Sequence, residues 1–123
     1  MPNREIPRHA WADFFGRFSH QHQGWLVSLE VIGLDFSRQV RAHEVALAGI
    51  TPELQADRGD RIEVTLGASA GKHVTHIIPV ATHVRLYETE EGAHVGVEID
   101  SASEGTMCLR FRSPMLPERV DGI

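Results

Sequence analysis

Histidine is the residue type with the clearest chemical potential here, because eight of the 123 residues are histidines. An imidazole can bind a metal ion or move a proton near neutral pH. The spacings do not favour a metal: His20 and His22 are two apart near a helix end, so their rings diverge. His73 and His76 are three apart in a predicted strand and lie on opposite faces. No spacing matches a zinc signature, and we predict neither a metal nor a cofactor.

Nucleophilic and phosphate chemistry lack their usual structural context. The Gly-x-Ser-x-Gly pattern at 67–71 falls in a predicted tip between two strands rather than in the strand-to-helix turn of a hydrolase elbow. Gly71-Lys72 is followed by His73 rather than by Ser or Thr. Cys108 lies in a β-rich segment and is expected to be a packed small side chain. The sequence therefore leans away from an enzyme and names no catalytic residue.

Three segments in the second half of the chain predict an antiparallel meander. They share β-branched residues, alternating polarity and short turns, and they span 82–88, 95–100 and 106–112. Placing every apolar residue on one face nearly fixes the register, because a one-residue slip turns every side chain over. The predicted pairs are Val84 with Ile99, Leu86 with Val97, Ile99 with Leu109, and Val97 with Phe111.

The opposite face of the meander is polar and is the candidate functional surface. The same register predicts two cross-strand rows, namely Arg85 with Glu98 and Arg110, and His83 with Asp100 and Cys108. Arginine and tyrosine are enriched at protein interfaces. We therefore predict an interaction face consisting of His83, Arg85, Tyr87, Glu98, Arg110 and Arg112.

An amphipathic helix precedes the strands. Four aromatic residues recur at the spacing of one helical face: Trp11, Phe14, Phe15 and Phe18. Pro7 suits a first turn and Gly24 a stop, which predicts a helix from about Pro7 to His22. An isolated helix of this length is marginal in water, so we expect its aromatic face to pack on the apolar face of the meander.

The rest of the chain predicts four more strands, at 25–32, 39–47, 61–67 and 73–78. Pro79 ends the last of them, and Pro52 to Gln55 could form one helical turn in a connector. No helix intervenes between the strands. The predicted fold is α+β, with one N-terminal amphipathic helix packed on a strongly bent antiparallel sheet or small open β-barrel of about seven strands in successive hairpins.

Composition indicates a single domain over residues 1–123, with the helix at about 7–22, a β region at about 25–112 and a proline-containing tail at 113–123. A net charge of −5 without basic runs argues against nucleic acid. No stretch approaches the roughly 18 apolar residues of a membrane span, and no signal region opens the chain. Because Cys108 is the only cysteine, the reducing cytoplasm is the expected location.

The tail from 113 to 123 contains Pro114 and Pro117, which argue against a central strand. The P-M-L-P sequence at 114–117 matches a polyproline recognition pattern. Its apolar neighbours favour a segment strapped back over the domain itself, so we predict the strap rather than a docking motif.

Both ends of the chain carry distinctive motifs. At the N-terminal end they are R-E-I-P-R at 4–8, Trp11, Phe18 and G-W-L-V at 24–27, and at the C-terminal end L-R-F-R-S-P-M-L-P-E at 109–118 and V-D-G-I at 120–123. On these motifs the chain resembles a family of small bacterial proteins whose domain has no known function. The resemblance covers nearly the whole chain and implies a bacterial cytosolic protein made of this domain alone. It implies no activity, cofactor or catalytic residue.

Two functions remain open at this point. The favoured one is a non-catalytic binding or regulatory module that engages another protein, or a second copy of itself, through the polar face or an exposed strand edge. The alternative is a small enzyme or ligand binder. It would use a pocket at the barrel mouth lined by Trp11, Trp25 and nearby histidines, one of them acting as acid or base.

Overall fold

The computed structural model describes residues 3–54, 59–67 and 73–115, with side chains as far as Arg112. In this part of the chain, one α-helix and seven strands follow one another. They are β1 (Asn3–Ile6), a 3-10 turn (Arg8–Ala10), α1 (Trp11–His22), β2 (Leu26–Ile32), β3 (Arg38–Glu53), β4 (Asp60–Leu66), β5 (Val74–Glu88), β6 (His94–Ser101) and β7 (Gly105–Met115). The predicted α+β fold with a single N-terminal helix is confirmed.

The seven strands form one antiparallel sheet that closes on itself. Strands β2 to β7 each pair with the next along the chain, and β7 pairs back with β2, which completes a six-stranded barrel. The seventh strand, β1, extends the sheet along β5, where Ile6 lies opposite Val84. The predicted small barrel is therefore confirmed as a class, but it is closed rather than open. Closure depends on β5, which is long enough to pair with β4 and with β6.

Strand β5 continues through Pro79, where the sequence predicted a strand end. Two shorter predicted strands are thus one bent strand from Val74 to Glu88. The bend lies at Val80, which has a positive φ of 47°, and the pairing with β4 shifts register between Asp60 and Ile62. An irregularity of this kind is a β-bulge, and bulges are among the places where a sheet tolerates proline.

Strand β3 also extends further than predicted, to Glu53 instead of Leu47. The predicted helical turn beginning at Pro52 is wrong, because Pro52 lies opposite Ile62 in β4. Burial explains the extension, since Ile50 is 3% exposed and belongs to the core. Gln55, where that turn was predicted to end, lies outside the described residues.

The meander confirms one predicted register and corrects the other. The observed pairs are Val84 with Ile99, Leu86 with Val97, Ile99 with Met107, and Val97 with Leu109. The first two were predicted, whereas the last two are displaced by two residues. A two-residue shift keeps the same side chains inside, so polarity alone could not exclude it. The turn decides the register, because Gly105, with a φ of 99°, lies opposite Ser101.

Helix α1 closes one end of the barrel with its aromatic face. Trp11, Phe15 and Phe18 are each 1% exposed or less, and Phe14 packs against them partly buried. The indole Nε1 of Trp11 donates to the carbonyl oxygen of Ile6 at 2.8 Å, which satisfies its only polar atom. These three residues share one core cluster with the inward residues of the meander, so the predicted packing of the helix on that face is confirmed.

The end of α1 is fixed by the following glycine. The helix stops at His22, and Gly24 adopts a φ of 86°, a conformation in which glycine avoids the steric cost of a side chain. The N–H group of Gly24 then donates to the carbonyl oxygen of Leu47 at 2.8 Å. The stop predicted from Gly24 thus also ties the helix end to β3.

Strand β7 runs through Pro114 to Met115, although the prolines predicted that no central strand would continue there. The regular pairing of β7 with β6 is interrupted between Gly96 and His94, and His94 then lies opposite Met115. Proline is tolerated where the ladder is irregular. Residues 116–123 of the predicted strap lie outside the described residues.

Candidate functional site

The predicted polar face lies on the outside of the barrel, across β5, β6 and β7. Its most ordered feature is Arg85, whose guanidinium donates two hydrogen bonds of 2.8 Å to the carboxylate of Asp100. A third bond of 3.3 Å reaches Glu98, and the hydroxyl of Thr106 donates to Asp100 at 2.9 Å. The bidentate geometry holds the guanidinium in a fixed orientation.

Tyr87 joins this network through Glu98. Its hydroxyl donates to Oε1 of Glu98 at 3.0 Å, the same oxygen that accepts from Arg85. Arg85, Tyr87 and Glu98 are therefore three of the six predicted face residues that the structure brings into direct contact. All three side chains have restricted freedom.

The predicted cross-strand rows are wrong on the β7 side, because of the two-residue shift. Cys108 lies opposite Glu98, whereas Arg110 lies opposite Gly96. Arg110 therefore does not flank Glu98 directly, and the predicted ladder of two arginines around one carboxylate does not form. Thr106 rather than Cys108 pairs with Asp100.

Two other predicted face residues belong to separate ion pairs. His83 lies opposite Asp100 as predicted, but its Nδ1 is 3.0 Å from a carboxylate oxygen of Glu5 on β1. Arg112 is 3.5 Å from Glu44 on β3. Both pairs are exposed, so each contributes little to stability, and neither joins the Arg85 network.

Gly96 produces a notch in this face. Its cross-strand neighbours are Tyr87 on β5 and Arg110 on β7, so a position without a side chain lies between two large ones. A Cβ atom at residue 96 would lie 2.2 Å from the carbonyl oxygen of Leu109, which leaves room for glycine alone. The notch has a volume of about 200 Å³ and is lined by Tyr87, Val95, Gly96, Val97, Glu98, Cys108, Leu109 and Arg110.

Sequence reasoning did not identify the notch, although one signal was present. An isolated glycine inside a strand pattern often marks a close approach of two backbones. Gly96 interrupts the alternating segment between Val95 and Val97. The neighbours that form the notch could be named only once the register of β7 was known.

The two charged side chains that line the notch, Glu98 and Arg110, differ in whether they have partners. Glu98 is engaged by Arg85 and Tyr87, whereas Arg110 takes part in none of the ion pairs found among the described residues. Burial, and then the neighbouring Glu98, raise the pKa of the Cys108 thiol to about 11. Cys108 therefore stays protonated at neutral pH and is not suited to act as a nucleophile. Arg110 is therefore the charged side chain of the lining that could pair with an acidic group of a partner.

We expect Asp100→Asn to destabilise the protein by about 1–3 kcal/mol at neutral pH, because Arg85 loses a charged bidentate partner. Hydrogen bonds from Arg85 hold the pKa of Asp100 below its ordinary value. This contribution is therefore present above the unfolded pKa and is lost as the pH falls through the folded value. In urea denaturation, the gap between wild type and variant should narrow below about pH 4. The exposed Glu90→Gln serves as control, and a gap that does not change with pH would contradict the assignment.

Two buried histidines form a second polar cluster, at the helix end. Nδ1 of His22 is 2.8 Å from the carbonyl oxygen of Phe18, and Nε2 of His22 is 3.1 Å from Nδ1 of His94. A carbonyl oxygen can only accept, so Nδ1 of His22 carries a proton. In a neutral His22 ring, Nε2 then accepts from Nδ1 of His94. The two residues are 0% and 8% exposed.

This pair was not predicted. In the sequence His22 lies close to His20, whereas 72 positions separate it from His94. The pair forms because α1 stacks His22 on Phe111 of β7, with 4.7 Å between ring centroids. No local spacing in the sequence signals a contact of this kind.

The two tryptophans of the alternative hypothesis do not line a shared pocket. Trp11 belongs to the core at 1% exposure, and Trp25 packs edge-on against His22, with 4.8 Å between ring centroids. An open groove of about 530 Å³ lies instead between β1 and α1, and neither tryptophan lines it. Its lining includes Arg4, Phe14, Arg17, Phe18, Leu86 and His94.

Within residues 3–54, 59–67 and 73–115, no three His, Cys, Asp or Glu side chains converge where they could hold a metal ion. In the same part of the chain, no helix is both long and apolar enough to cross a bilayer.

The chain folds as a small closed antiparallel barrel. One amphipathic helix covers one end of the barrel, and the polar face lies on its outside. The chain belongs to DUF5335, a family of unknown function whose model matches residues 2–119. No curated protein matches the chain, and no solved structure matches it either. The predicted resemblance to a family without a known function is thereby confirmed.

Proposed function

We propose that this protein is a non-catalytic binding module, and that the Gly96 notch docks an extended segment of a protein partner. One observation carries the proposal: a concavity of about 200 Å³ is lined by Gly96 together with Tyr87 and Arg110, the residues opposite it on β5 and β7. Tyrosine and arginine are among the residue types that contribute most to protein interfaces. The notch therefore combines a shape and a chemistry that suit an anchor side chain.

One wall of the notch, formed by Tyr87 and Glu98, is held in place before any partner binds. Tyr87 is fixed by Glu98, and Glu98 is fixed in turn by Arg85. Side chains that are already ordered lose little entropy on association. Preorganisation of this kind suits binding, and the high pKa of the Cys108 thiol makes it a poor nucleophile at neutral pH.

The size and charge of the notch define its occupant. A volume of about 200 Å³ falls below the roughly 300–1,000 Å³ of small-molecule pockets, and it suits one inserted side chain. Tyr87 and Val95 offer apolar contact, while Arg110 offers a cation that is not neutralised by an ion pair among the described residues. The expected occupant is an aromatic or aliphatic side chain with a carboxylate close by in the same segment.

A peptide library selected on the full chain tests this proposal. We expect the selected peptides to carry Asp or Glu within a residue or two of an aromatic or aliphatic side chain. Arg110→Glu should weaken their binding by tenfold or more, because a partner carboxylate would meet a like charge. The matched control is Arg41→Glu, an exposed arginine on β3.

Two results would contradict the proposal. One is a set of selected peptides that bind wild type and Arg110→Glu equally well. The other is a dimer in light scattering that Arg110→Glu dissociates, because the occupant would then be a second copy of this chain.

A further inference from the structure

The groove between β1 and α1 is a second concave surface, on the other side of the sheet from the Gly96 notch. Leu86 of β5 lines the groove, whereas the next residue, Tyr87, lines the notch. Successive side chains of a strand point to opposite faces, which separates the two surfaces. The groove volume of about 530 Å³ lies within the usual range for small-molecule sites.

The floor of the groove is apolar and contains aromatic rings. Phe18 and Leu86 are 1% and 0% exposed and form part of the core. Phe14 is only partly buried, and its ring centroid lies 5.4 Å from that of Phe18. A flat apolar ligand could therefore cover Phe14 without displacing a buried side chain.

Two arginines line the groove beside this floor. Arg4 comes from β1 and Arg17 from α1, and both are exposed. Neither takes part in an ion pair among the described residues. Of the two acidic residues in the lining, Glu5 is already 3.0 Å from His83, which leaves Asp13. Two arginines therefore stand in the lining without an ion pair among the described residues, and each could pair with an anionic group of a ligand.

His94 also lines the groove and is a candidate hydrogen-bond acceptor. When the His22 ring is neutral, Nδ1 of His94 donates to it, and Nε2 of a neutral His94 ring then carries the lone pair. Nε2 is 3.9 Å from the nearest Glu88 oxygen on β5, which is beyond hydrogen-bond distance. Burial first, and then Arg4 of β1, lower the pKa of His94. Both effects favour the neutral ring.

We propose that this groove binds a small carboxylic acid that has a flat apolar body and a hydroxyl group. The carboxylate pairs with Arg4 and Arg17, and the body covers Phe14. The hydroxyl donates to Nε2 of His94. The site lies apart from the docking notch, so the two proposals stand or fall separately.

Calorimetric titration of the full chain with 4-hydroxyphenylacetate tests the proposal, with two comparison compounds. Phenylacetate lacks the hydroxyl, and 4-hydroxyphenethyl alcohol lacks the carboxylate. We expect saturable binding of 4-hydroxyphenylacetate with a dissociation constant at or below the millimolar range. Phenylacetate should bind several-fold more weakly, and the alcohol at least tenfold more weakly, because charged hydrogen bonds contribute more than neutral ones.

Variants of the exposed arginines test whether the ligand binds in this groove or elsewhere on the surface. Arg17→Gln and Arg4→Gln should each weaken binding of 4-hydroxyphenylacetate about tenfold, the value of one charged hydrogen bond. Arg41→Gln on β3 is the matched control and should leave the affinity unchanged. None of the three side chains is buried, so the variants should fold as the wild type does.

Three outcomes would overturn the proposal. The first is no saturable binding up to roughly ten millimolar, weaker than any useful affinity for so small a ligand. The second is equal affinity for the acid and the alcohol, which would remove the role of the arginines. The third is a pair of arginine variants that bind as tightly as Arg41→Gln.

Discussion

Phe15→Ala should lower the free energy of unfolding by about 3–5 kcal/mol, the range for removing a large aromatic ring from a packed core. Phe15 is 0% exposed, and its ring packs edge-on to Phe14, with 5.1 Å between centroids. The loss combines the transfer free energy of the ring with the cavity that it leaves. For a domain of 123 residues, this is a large part of the roughly 5–15 kcal/mol that stabilises a native protein. Urea denaturation followed by tryptophan fluorescence measures it.

Phe36→Ala is the matched control, because Phe36 is 85% exposed at the turn between β2 and β3. It should change stability by no more than about 0.5 kcal/mol, as most surface substitutions do. If both phenylalanine variants lost the same small amount of unfolding free energy, the aromatic face of α1 would not be packed into the end of the barrel. The packing of α1 on the sheet would then have to be abandoned.

Gly96→Ala should destabilise the protein by about 3 kcal/mol or more, placing it among the severe point substitutions. The added Cβ would lie 2.2 Å from the carbonyl oxygen of Leu109 and 3.0 Å from the Cα of Arg110. Both contacts are with backbone, so no side-chain rotation relieves them. Strands β6 and β7 would have to separate, at the cost of their hydrogen bonds. Thermal unfolding of the purified variant measures the loss.

Gly16→Ala is the matched control, because the same substitution at this position should raise stability rather than lower it. Gly16 lies on the exposed side of α1, and an added Cβ would meet nothing within 4 Å. Alanine is favoured over glycine inside a helix by about 0.5–1 kcal/mol, so this variant should be more stable than wild type. A Gly96→Ala protein as stable as wild type would contradict the close approach of β6 and β7, and with it the notch.

Periodicity was enough to predict the fold class and the sides of its elements. The spacing of Trp11, Phe15 and Phe18 defined the helix face, and all three are buried. Alternation in the meander identified the correct inward residues, such as Val97 and Leu109. Such patterns succeed because burial repeats with the period of the element itself.

Long-range pairing was not predictable in the same way. A shift of two residues leaves the alternation intact, so the sequence could not tell that Arg110 lies opposite Gly96. Strand β1 was missed because only Ile6 of its four residues is buried, which leaves no pattern to detect. The contact of His22 with His94 depends on the barrel closing under the helix, and no local spacing encodes it.

The sequence therefore predicted which residues lie on the candidate face, but not which of them contact one another. Arg85, Tyr87 and Glu98 do meet, whereas His83 and Arg112 pair with residues on other strands. The predicted face also omitted Gly96, which forms the notch. Glycine has no side-chain functional group, so it is easily overlooked when functional residues are sought in a sequence.

The most direct test of the binding proposal is an NMR titration of the ¹⁵N-labelled full chain with the tightest selected acidic peptide. We expect the largest amide shift changes at the notch residues Gly96, Glu98, Cys108 and Arg110. The amides of Arg4 and Arg17, in the groove by the helix, should stay unchanged. Shift changes centred on the groove, or spread evenly over the barrel, would contradict the claim that the Gly96 notch is where this protein meets its partner.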